Sequence, residues 1–145
     1  MLTVLVLLLA ASTAGSELAP VHDGGVCAGL SWIDLKPGER VFVERGPDFN
    51  VFRFEGSAGP EDHWWGVYSG GFSQVHGNSL LLVGRDGVQV HRATENGKFR
   101  GYLAEKGRLQ NHFFGSVFDG TNADKHFFDR IDFGSRGQAL CAKGH

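Results

Sequence analysis

Long apolar runs are scarce in this 145-residue chain. The one exception, Leu2 to Ala11, covers about half of the roughly twenty residues that a membrane-crossing helix needs, so no transmembrane anchor is expected. An excess of one charge is lacking as well, with 14 Lys and Arg against 16 Asp and Glu. The more basic stretch, Arg85 to Arg108, is interrupted by Asp86, Glu95 and Glu105. A sequence-independent nucleic-acid binder needs a concentrated basic stripe, so nucleic acid is not an expected partner. There is no Asn-x-Ser/Thr sequon, and N-glycosylation is not expected.

Catalytic signatures are missing too. The chain has no G-x-S-x-G elbow, no P-loop and no G-x-G-x-x-G leading into a helix. Its seven histidines include no H-E-x-x-H spacing. A histidine-based hydrolase site assembled across strands leaves no local trace, and that alternative stays open. Cysteine is limited to Cys27 and Cys141, too few for a disulfide-framework miniprotein and not arranged as C-x-x-C.

What is present begins with MLTVLVLLLAASTAG. This reads as a secretory signal peptide over residues 1–15, with an apolar core and a small-residue cleavage site but no basic n-region. It predicts a secreted, extracellular protein whose residues 16–145 form a single β-rich domain. In an oxidising space the two cysteines are expected to form one bridge between the terminal segments. In the chain-entropy model such a loop contributes about 4–5 kcal/mol.

Twenty-two glycines and twelve phenylalanines punctuate short apolar segments, while helix-favouring residues are sparse beyond the leader. Val51 to Glu55 alternates with a period of two, Phe52 and Phe54 on one face and Arg53 and Glu55 on the other. Leu80 to Val83 and Val88 to His91 flank Asp86-Gly87, a hairpin signature, and Asn96-Gly97 marks a second turn. The predicted fold is all-β, a single small antiparallel β-sandwich or barrel with an N-to-C-terminal disulfide. The runner-up is a small α+β domain with Leu103 to Gln110 as its helix.

A local phrase recurs: His63-Trp64-Trp65-Gly66, His112-Phe113-Phe114-Gly115 and His126-Phe127-Phe128. Adjacent strand residues face opposite ways, so one ring of each pair can enter the core while the other faces water or covers a second buried layer. An exposed ring of Trp64 or Trp65 beside Asp62, His63 and Tyr68 would form a stacking platform with polar groups at its edge. Such a platform suits a sugar ring, and it also suits a protein partner. The leading functional expectation is a secreted, non-enzymatic recognition module, lectin-like, binding a glycan through these residues. The alternatives are an extracellular structural or protein-interaction protein and the small hydrolase above. No cofactor is required, although Asp119, Asn122 and Asp124 supply hard oxygen ligands in one loop. Calcium is an option there, with Asp129 and Asp132 as further candidates by alternation.

Overall fold

A computed structural model describes residues 15–56, 64–71 and 75–144. The leader up to residue 14, Asp62 and His63 therefore lie outside the described residues. In chain order the strands are β1 (Glu17–Leu18), β2 (Gly25–Ala28), β3 (Ser31–Asp34), β4 (Arg40–Arg45), β5 (Phe49–Glu55) and β6 (Trp65–Gly70). They continue with β7 (His76–Val83), β8 (Gln89–Glu95), β9 (Lys98–Lys106), β10 (Leu109–Gly115) and β11 (Ile131–Asp132). A 3-10 segment runs from Asn122 to Arg130, and one α-helix, α1, spans Ser135–Lys143.

Eight strands form one antiparallel sheet in the order β1-β4-β5-β6-β10-β9-β8-β7. A second sheet, β11-β3-β2, carries α1 against β2 and β3. The hairpins follow their turn chemistry. Asp86 and Gly87 adopt φ of 59° and 75° between β7 and β8, and Asn96 and Gly97 adopt 51° and 73° between β8 and β9.

The all-β sandwich or barrel expected from the sequence is not what forms. The fold is mixed, with two sheets and two nine-residue helical segments, and no barrel closure is seen among the described residues: β1 and β7 end the large sheet as edges. Leu103 to Gln110, the expected helix of the runner-up fold, is the hairpin of β9 and β10. The third aromatic phrase, His126-Phe127-Phe128, lies in the 3-10 segment and not on a strand. Nine-residue α1 is shorter than the length at which propensity alone makes a helix visible, and Gly137 in its first half weakens the signal further. Tertiary contact supplies what the local sequence withholds. A Cβ at Gly137 would collide with the Asp132 carbonyl oxygen, so glycine allows α1 to close on the end of β11. Among the described residues, no helix is long and apolar enough to cross a membrane.

The core lies between the sheets. Alternation sends Val41, Val43, Phe52, Phe54, Trp65, Val67 and Phe113 inward from the large sheet, where Ile33, Phe128, Ile131 and Phe133 meet them. Fully buried Asn111 on β10 crosses this boundary. Its amide donates to the Ala28 carbonyl oxygen at 2.7 Å and to the Ser31 hydroxyl at 3.0 Å, while its own oxygen accepts from Leu30 N–H at 3.4 Å. One side chain thereby satisfies the β2–β3 turn, whose backbone groups would otherwise lose hydrogen bonds on burial.

Candidate functional site, an aromatic cleft at a strand fork

β9 and β10 run together from the Leu109–Lys106 pair to the Phe113–Tyr102 pair. Beyond it β10 stays on β6 as far as Gly115 opposite Trp65, while β9 turns away. Two glycines sit at this fork. Gly101 and Gly115 have φ of 97° and 139°, and a Cβ on either would run into neighbouring backbone.

The gap between the diverging strands is an open cleft of about 450 Å³, lined by Trp64, Phe99, Phe114 and Phe118 together with Arg100 and Ser116. That volume lies within the range of small-molecule sites. Trp64 stands edge-on to Phe114, centroids 6.0 Å apart and planes at 69°. Its backbone is anchored rather than free: Trp64 N–H donates to the Ser116 hydroxyl at 3.1 Å, and Ser116 N–H donates to the Trp64 carbonyl oxygen at 3.0 Å. Trp64 as a residue remains 36% exposed. Gly66, opposite Phe114 on β6, leaves the room that this phenyl ring occupies.

At the fork the His112 side chain reaches the Arg100 carbonyl. Its Nε2–H donates to the Arg100 oxygen at 2.5 Å, and its ring lies 5.4 Å from that of Phe114. Burial pushes the His112 pKa below its ordinary value, although the hydrogen bond to Arg100 and the charge of Glu95 oppose that shift.

Of the residues singled out from sequence, Trp64 lines the cleft and Trp65 does not. Trp65 is buried, stacked on Phe54 at 3.7 Å and 11° with Phe127 edge-on at 4.7 Å. The Arg130 guanidinium lies 5.2 Å from the Trp65 ring and is ion-paired with Glu39, to which the Trp65 indole N–H also donates at 3.2 Å. Tyr68 is half-buried and stacked on Phe49, away from the cleft. Sequence reasoning missed Phe99, Arg100, Phe114, Ser116 and Phe118. Phe114 carried a usable signal, because the second copy of the aromatic phrase aligns with the first across β6 and β10.

Comparison with protein-family models, curated proteins and solved structures finds no match.

The oxygen-rich loop is turned onto internal donors. Buried Asp124 accepts from the Tyr102 hydroxyl at 2.5 Å and from Gly120 N–H at 2.9 Å. Burial and this carboxylate push the Tyr102 pKa up. Asp119 accepts from Thr121 N–H at 2.8 Å and Asn122 from Arg92 at 2.9 Å. Hydrogen bonds from Thr121 lower the Asp119 pKa. Asp129 and Asp132 do not join them: Asp129 faces His126 in solvent, and Asp132 pairs with Arg85 at 2.7 Å and with Arg136 at 3.3 Å. Among the described residues no group of three or more His, Cys, Asp or Glu could hold a metal ion. This donor arrangement is that of a self-satisfied Asx turn. The described His–acid ion pairs, His22–Asp23 and His126–Asp129, also lie outside the cleft.

Proposed function

We propose that the protein is a secreted, non-enzymatic recognition module that binds carbohydrate in the cleft beside Trp64. The observation that carries this reading is an indole held at the rim of an aromatic cleft by its own backbone bonds, with its ring still open to solvent. A sugar ring presents C–H groups on one face and hydroxyls around its edge. Trp64 and Phe114 offer the apolar surface, and Arg100 offers directional donors beside it. The Cys27–Cys141 bridge supports export, because such bonds persist in oxidising compartments.

The deciding experiment is binding of the oxidised protein to an immobilised glycan panel, repeated with Trp64→Ala. Saturable binding that Trp64→Ala abolishes while the circular dichroism spectrum is unchanged supports the reading. Failure to bind any glycan, or binding that survives the substitution, removes it.

A second reading, an extracellular protein partner, draws on a different surface. Edge strand β7 contains no Asp, Glu, Lys, Arg or Pro, and Leu80 and Val83 are 49% and 58% exposed. Natural edges are usually protected by charge, so an extended segment of a partner could pair there. Loss of partner capture on Val83→Lys, with glycan binding intact, would favour it.

A further inference from the structure

Arg100 is the one charged side chain among the described residues lining the cleft. Its Nε donates to Glu95 at 3.2 Å, which braces the guanidinium from one side. Its two terminal nitrogens have no hydrogen-bond partner among the described residues. What remains is the end-on edge of a planar fork, the edge whose paired N–H groups match the two oxygens of a carboxylate. Trp64 and Phe114 line the same cleft as Arg100, and Phe99, its neighbour on β9, lines it too while its ring packs edge-on to Tyr102.

A uronic acid presents both complements at once, a ring with C–H groups for the aromatic wall and an equatorial carboxylate at its edge. We propose that the cleft selects carboxylate-bearing saccharides of the uronic-acid type, with Arg100 as the residue that determines this specificity. The proposal rests on the carbohydrate reading above and adds the class of sugar. Because Arg100 is half-exposed the preference for the acid over a neutral sugar is moderate and weakened by salt.

The test compares trigalacturonate with its fully methyl-esterified form, which keeps the ring and removes the charge. Isothermal titration of the oxidised protein is run at low and at physiological salt. The expected result is about five-fold tighter binding of the acid, the scale of one solvent-exposed ion pair. Arg100→Gln, which removes donors from both ligands, should bring acid and ester to equal affinity, and added salt should shrink the parent's difference. Equal affinity for acid and ester overturns the uronate assignment and leaves carbohydrate recognition standing. Absence of binding to both, together with a blank neutral-glycan panel, overturns both. A sulfated trisaccharide bound as tightly as the acid, with Arg100→Gln changing neither, also overturns the assignment, since the attraction would then be diffuse charge.

Discussion

Trp64 and Trp65 are neighbours in the chain, yet truncation removes different things at each. Trp65→Ala would open a cavity between Phe54 and Phe127 and leave the buried Arg130–Glu39 pair without its indole cover. Large-to-small changes at such sites cost about 3–5 kcal/mol, and the urea midpoint should fall accordingly. Trp64→Ala removes a side chain already in contact with water, so its stability should stay within about 1 kcal/mol of the parent while the proposed glycan binding disappears. His112 offers a residue-scale test through pH. Its pKa is lower in the folded protein than the ordinary 6.5, so in the window below 6.5 the unfolded chain binds the extra proton. Its contribution to stability is therefore complete above pH 6.5 and is lost as pH falls from there through the folded value. His112→Gln keeps an N–H donor for the Arg100 carbonyl but does not titrate. The difference between denaturation midpoints at pH 7.5 and pH 5.5 should be smaller in this variant than in the parent, and an unchanged difference would show that His112 is not the titrating group.

Elements differ in how much of themselves they write into local sequence. The β7–β8 and β8–β9 hairpins were legible because Asp86-Gly87 and Asn96-Gly97 supply the positive φ their turns require. The inward set on β5 was legible because its period of two shows on four consecutive residues, Phe52 to Glu55. Nothing comparable announces α1, whose stability comes from the bridge to β2 and from packing on β3. The same limit applied to the cleft. Trp64 could be read from its aromatic neighbourhood, whereas Phe99, Arg100 and Phe118 join it only because β9 leaves β10 at Gly101, an event of tertiary packing. Gly137 gives this point a measurable form. On propensity alone Gly137→Ala should stabilise a helix by about 1 kcal/mol. Here the added methyl meets the Asp132 backbone oxygen, which cannot step aside as a flexible side chain would. The expected outcome is a lower melting temperature by several degrees, the result of about 1–3 kcal/mol of overpacking. A higher melting temperature would mean that α1 stands further from β11 than described.

At the scale of the whole molecule, the Cys27–Cys141 bridge joins segments 114 residues apart and so ties nearly the full described chain into one loop. The large sheet is built mostly from pairings of sequence neighbours, β4 with β5, β5 with β6, β7 with β8, β8 with β9 and β9 with β10. Those pairings can form without the bridge. The small layer is different, because β2 and β3 come from the start of the described chain and β11 and α1 from its end. Bringing those ends together carries a loop-closure entropy that the disulfide removes from the unfolded state, a stabilisation of about 4–5 kcal/mol in the chain-entropy model. The double variant Cys27→Ala/Cys141→Ala should therefore lose a large part of the stability expected of a domain this size. The loss should not be uniform. Amide hydrogen exchange should accelerate most in α1, β11 and the β2–β3 hairpin, and least in β9 and β10 at the centre of the large sheet. The cleft beside Trp64 rests on β6, β9 and β10, so at low temperature the folded variant should keep the cleft and, with it, the saccharide binding proposed for it. Equal acceleration across both sheets would instead make the two layers one cooperative unit, with the bridge stabilising the site as much as the termini.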